Sequence, residues 1–105
     1  MTEVKFFAEK GRLYGFSISG HSSVNCDDDE GKLVCSAVSS AVYMTANTIT
    51  DIIGDKADIS ESDAKLSLKV KNPDAKTITV LEGLQLHLEQ LSFQYKDRIS
   101  ILSEV

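Results

Sequence analysis

The chain has 105 residues, 42% of them apolar and 26% charged, with a formal net charge of −5. That is enough for one core and too little for two, so a single domain over 1–105 is expected, burying roughly two-thirds of its unfolded surface. The acidic balance argues against nucleic acid as a direct partner, because phosphate binding needs clustered Lys and Arg, and no apolar run reaches the ~18–20 residues of a membrane span.

Residues 1–10 mix acids and bases with apolar residues, unlike a signal or transit peptide. The expected compartment is the cytoplasm. Val4, Phe6 and Ala8 alternate with Lys5, Phe7 and Glu9, a strand period that Lys10-Gly11 breaks with a turn. Leu13, Tyr14, Phe16 and Ile18 make a second run, so a hairpin of 3–8 and 12–19 is expected. Residues 20–32 fit no period and are the most polar stretch of the chain, which reads as a loop. A loop of that length within a small domain often carries function.

From Leu33 to Ile53 the spacing turns helical, with Val38, Val42, Thr45, Ile49 and Ile53 on one stripe and Gly54 placed to end the helix. Ala57 to Ser62 and Lys65 to Lys71 read as a second hairpin, with Leu66, Leu68 and Val70 facing inward. Asn72-Pro73-Asp74 opens a second helix, Pro73 being tolerated in a first turn. Its stripe is Leu81, Leu84, Leu88, Leu91 and Tyr95; Leu84, Leu86 and Leu88 also fit a strand, and length decides for the helix. Ile99 and Ile101 mark a last strand near 97–104. The order ββαββαβ makes an α+β domain: two layers, with two helices packed on a mostly antiparallel sheet.

Few residues here can carry chemistry. There is no phosphate loop and no paired-His helix motif. Asn25, Asp27 and Asp29 have the spacing of early calcium-loop ligands, yet Glu30 and Ser36 occupy the positions that need Gly and Glu. What is left is His21, at the end of a strand, and Cys35, at or near the first turn of the first helix. A helix start favours a thiolate, and the backbone N–H groups of Cys35 and Ser36 are candidate oxyanion donors. A histidine within reach takes the thiol proton and returns it to a leaving amine.

Other readings stand beside this one. A cysteine on a helix rich in Ala and Val is also ordinary packing. His21, Cys26, Cys35 and one of Asp27, Asp28 or Asp29 make a conceivable zinc set, although Cys-x8-Cys matches no standard knuckle. Cys26 reaching Cys35 as a reversible disulfide makes a redox reading. With only two cysteines in the chain, a secreted disulfide scaffold is not indicated. His87 lies off the leucine stripe and is expected to face solvent. The aromatic residues Phe6, Phe7, Tyr14, Phe16, Phe93 and Tyr95 read as core and interface.

Ser19-Gly20-His21, a polar loop, and then Leu33-Val34-Cys35-Ser36-Ala37-Val38-Ser39 form a specific pairing. It resembles the ribosomal-processing cysteine protease Prp family, whose members show Gly-His after a strand and an Ile-Val-Cys-Ala-Ala-Val-Ser-like helix start about a dozen residues later. The element order fits as well. The resemblance implies a catalytic dyad of His21 and Cys35, with Ser39 in support beside the Ser36 backbone donor already named. It implies no cofactor and no metal. The intervening loop, with Ser22, Asp27, Asp28, Asp29 and Gly31, is implied as a substrate cover.

The reaction implied is hydrolysis, through a thioester, of the N-terminal extension of a large-subunit ribosomal protein, by a homodimer. Lys32 departs from the pattern, which usually has Asp three residues before the cysteine. A lysine there favours the thiolate by direct charge. The acids Asp27 to Glu30 would attract a basic substrate. The alternative function is a non-catalytic, ribosome-associated or redox-sensing thiol protein.

Overall fold

The computed structural model describes residues 2–20, 28–63 and 65–104. Strands β1 (Thr2–Glu9) and β2 (Arg12–Ser19) form the first hairpin, and β3 (Ala57–Ser62) and β4 (Lys65–Val70) the second. Helix α1 spans Asp29–Asn47, α2 spans Ala75–Gln94, and β5 is Ile99–Glu104. The strands join in one sheet of order β3-β4-β2-β1-β5. All neighbours are antiparallel except β1 and β5. The ββαββαβ order and the α+β class are as the sequence patterns indicate.

The first hairpin turns on Lys10 and Gly11, both with positive φ (54° and 78°). That is what a two-residue turn matched to the twist of its strands requires. The register slips near the turn: Phe7 faces Gly15 while Ala8 faces Leu13. Tyr14 is therefore the extra residue of a bulge. The slip sends Leu13 into the core and stacks Tyr14 on Phe7, ring centroids 6.0 Å apart. It also explains why strand period fails between Leu13 and Phe16 in the sequence.

Val4, Phe6, Phe16, Ile18, Leu66, Leu68 and Val70 present one buried face of the sheet to the helices. Val34, Val38, Val42 and Ile49 answer from α1 and its extension, and Leu81, Leu84 and Leu88 from α2. Each such side chain taken from water contributes about 1.5–3 kcal/mol. Leu91 and Tyr95 lie at the margin of this core, and Leu86 is exposed, as a helix requires and a strand would not.

Two helix boundaries differ from the sequence patterns, both because an aspartate caps the helix. α1 begins at Asp29, not near Leu33, because Asp28 is extended (φ −102°, ψ 167°) and its side chain accepts from the Gly31 N–H. Asp29 and Glu30 then occupy a first turn where the helix end favours negative charge. Residues 29–32, read from their polarity as loop, are helix. In α2 the cap is Asp74, which accepts from Lys76 N–H. Pro73 therefore precedes the helix and does not occupy its first turn.

Beyond Asn47 the helix widens into a π-helical stretch, Thr48–Ile53, closed by Gly54 at φ 84°. Gly54 N–H donates five residues back to the Ile49 carbonyl at 3.0 Å.

Candidate active site

The N-terminal end of α1 is tied to the sheet by one side chain. Arg98, on the segment entering β5, donates from Nη1 and Nη2 to the two oxygens of Asp28 at 3.1 and 2.6 Å. Its Nε donates to Glu30 Oε1 at 3.2 Å. The Arg98 hydrogen bond, and then the Gly31 N–H, hold the Asp28 carboxyl below its ordinary value. All three side chains are substantially exposed, so the value of this clasp is geometric more than energetic.

Cys35 follows on the same helix, half-buried between the buried Val34 and Val38. It is the seventh residue of a helix that begins at Asp29, at the end of the second turn. Sequence spacing places it at or near the first turn, and the structure corrects this. Lys32 N–H already donates to the Asp28 carbonyl at 2.9 Å. The backbone N–H groups of Cys35 and Ser36 are therefore interior to the helix and are not its terminal donors. Lacking an acceptor atom, Lys32 cannot cap a helix; the aspartate that does so here lies one turn earlier, at position 28.

Ser39 stands four residues beyond Cys35, hence on the same face of α1, and is half-buried; Ser36 is exposed. The sulfur of Cys35 is engaged in a disulfide. The chain's other cysteine, Cys26, lies outside the described residues, as do His21, Ser22 and Asp27. Gly20, which follows β2, has φ 83°. Of the proposed cover residues, Asp28 is the helix cap, and Asp29 and Gly31 are in the first turn. Among the described residues no cluster of His, Cys, Asp and Glu has the makings of a metal site.

His87 is exposed, as expected. It lines an apolar groove of about 740 Å³ between α1 and α2, with Ala37, Ala41, Met44, Val80 and Leu84. Phe6 and Phe16 are buried in the core, whereas Phe93 is 75% exposed. Arg98 is the site residue that sequence reasoning missed. Nothing local marks it, since its partners are 70 and 68 residues away. The cap at Asp28 did carry a signal: acids directly ahead of an apolar helical run are a helix-start signature.

A family model described as cysteine protease Prp matches residues 1–100. The chain belongs to the cysteine protease Prp family. It is accordingly a cysteine protease, and peptides are its substrate class. Solved Prp structures share the fold. The essential ribosomal processing protease Prp from S. aureus, in complex with a substrate peptide, is similar at TM-score 0.90 and 15% identity, covering 99% of this chain and 100% of that one. The same protease with a covalently linked product peptide matches at TM-score 0.84 and 17% identity, with the same coverage. SMU.848 from Streptococcus mutans matches at TM-score 0.84 and 19% identity, covering 99% of both chains. No curated protein gives a significant sequence match. No described helix is long and apolar enough to cross a membrane.

Proposed function

We propose that this Prp-family protease removes the N-terminal extension of a large-subunit ribosomal protein in the cytoplasm, acting as a homodimeric single-domain enzyme. The observation that carries the reading is the family match over residues 1–100, which contains the Gly20-His21 and Val34-Cys35 pairing. The similar S. aureus structures, described as a ribosomal processing protease with peptides, support the substrate class.

In this reading Cys35 is the nucleophile and His21 the general base and acid. His21 takes the thiol proton as sulfur bonds to the scissile carbonyl carbon, and the carbonyl oxygen becomes an oxyanion. The C–N bond then breaks, the amine leaves with the proton from His21, and water hydrolyses the thioester. Because the N–H groups of Cys35 and Ser36 lie within α1, the Ser39 hydroxyl, one turn beyond Cys35, takes the role of oxyanion donor in this reading. Segment 22–32, helical from Asp29, is the substrate cover in this reading.

The test is cleavage, by reduced enzyme, of a synthetic peptide with the sequence of the ribosomal-protein extension. Cys35→Ala and His21→Ala should each abolish turnover, and Ser39→Ala should lower kcat by roughly a hundred- to a thousandfold, the scale of one lost oxyanion donor. Turnover that persists in either dyad variant would sink the assignment. Sedimentation of the wild type tests the homodimer.

A further inference from the structure

The acids that Arg98 grips both precede Lys32 in the chain, and only Asp28 is spaced to meet it along the helix. Asp28 lies four residues ahead of it and Glu30 two. An acid four residues before a lysine is the arrangement that pairs best along a helix. That pairing does not form here. Arg98 takes Asp28 in a two-pronged, charge-assisted grip and Glu30 through its Nε–H. Among the described residues Lys32 has no ion pair. It is exposed and stands three residues before Cys35, on the same side of α1.

We propose that Arg98 is a positioning residue: by holding Asp28 and Glu30 it leaves the Lys32 ammonium to stabilise the Cys35 thiolate. This rests on Cys35 being the nucleophile. The need for such a charge follows from where the helix starts. The favourable field of a helix end fades within its first turn, and Cys35 is at the end of the second. A cation one helical turn away replaces it. Among the described residues, the charged groups at this end of α1 and on the segment against it are Asp28, Asp29, Glu30, Lys32, Lys96, Asp97 and Arg98. Without Arg98, Asp28 turns to Lys32, and the acids in excess oppose the thiolate.

The experiment is alkylation of Cys35 by iodoacetamide as a function of pH, on the reduced full-length chain carrying Cys26→Ser. Arg98→Gln and Lys32→Gln should each move the profile to higher pH and slow labelling at neutral pH by roughly three- to tenfold. Arg98→Lys, which keeps the charge and loses the fork, should fall between. Adding Asp28→Asn and Glu30→Gln to Arg98→Gln should restore the parental profile. A merely structural role for Arg98 predicts no rescue on removing still more contacts. Superimposed profiles for Arg98→Gln and its parent, or a triple variant that stays shifted, would overturn the proposal. Alkylation needs no peptide, so the two readings fail separately. Shifted profiles without peptide cleavage reject the proteolytic assignment alone; cleavage with an unshifted Arg98→Gln profile rejects this role alone.

Discussion

Thr77, buried in the first turn of α2, donates its hydroxyl to Asp55, twenty-two residues earlier in the chain. The same carboxylate oxygen accepts from the Asp74 N–H at 2.9 Å. One acid therefore joins the end of the π-helical stretch to the start of the second helix. Asp55→Ala leaves a buried hydroxyl and a cap N–H without this acceptor, at an expected cost of about 1–3 kcal/mol. Urea unfolding measures it; a midpoint equal to wild type would show that both groups find other acceptors.

Acid sensitivity follows from the same contacts. The Thr77 hydroxyl first, and then the Asp74 N–H, hold the Asp55 carboxyl below its ordinary 3.8. A group depressed in the folded state adds stability above its unfolded value and loses it as pH falls through the folded value. Asp28, held low by Arg98, acts in the same direction. Stability should therefore fall as the pH drops below about 4. The fall should be shallower in Asp55→Asn, as read by urea midpoints across that range.

Gly15 lies in β2, where a side chain has no room. A Cβ there would meet the Leu68 carbonyl oxygen and come within 2.9 Å of Lys69 Cα, both backbone atoms of the paired strand. Gly15→Ala should destabilise by about 1–3 kcal/mol, the usual cost of overpacking. The expected fall in Tm is roughly 4–8 °C for each kcal/mol. An unchanged Tm would show that β4 yields without cost.

Redox state should govern activity. Thiolate attack requires a free thiol, and the Cys35 sulfur is in a disulfide. Enzyme kept without reductant should fail to cut the extension peptide, and a dithiol should restore cutting. Cys26→Ser removes the chain's other cysteine and should make activity independent of reductant. Equal cleavage by oxidised and reduced wild type would remove Cys35 as nucleophile.

The acidic run is less available to a substrate than its composition suggests. Asp28 and Glu30 are engaged by Arg98, while Asp29 is exposed in the same turn. Replacing Asp27 and Asp29 by Asn should lower kcat/KM for a basic peptide severalfold at low salt, with the difference shrinking as salt screens it. Salt-independent kinetics would discard electrostatic attraction by this run.

Elements whose two faces differ were legible in the sequence. Val4 and Phe6, Leu66 to Val70, and Leu81 to Leu88 announce their periods because one side of each is buried. The start of α1 was legible only as a cap signature, acids ahead of an apolar run, because the turn itself, exposed at Asp29, Glu30 and Lys32, has no apolar period. The bulge at Tyr14 was visible only as a lost period, since its cause lies in the pairing with β1. At the site, Cys35 and Ser39 could be placed on one helix from spacing. The depth of Cys35 in that helix depends on Asp28 and Arg98, which meet only through the fold.

Parallel pairing of β1 with β5 brings Thr2 opposite Ile99, 97 residues on. The two hairpins close over short spans, so they can form early, whereas the β5 contact carries the largest loop-closure entropy. Arg98 enters with β5. The beginning of α1 should therefore acquire its protection late, together with β5 and after both hairpins. Pulse-labelling hydrogen exchange during refolding would see this as delayed protection of the Lys32 amide relative to Lys5 and Ser67, whose N–H groups face their hairpin partners. In kinetic terms, the end of the helix that carries Cys35 is finished by the last strand to arrive.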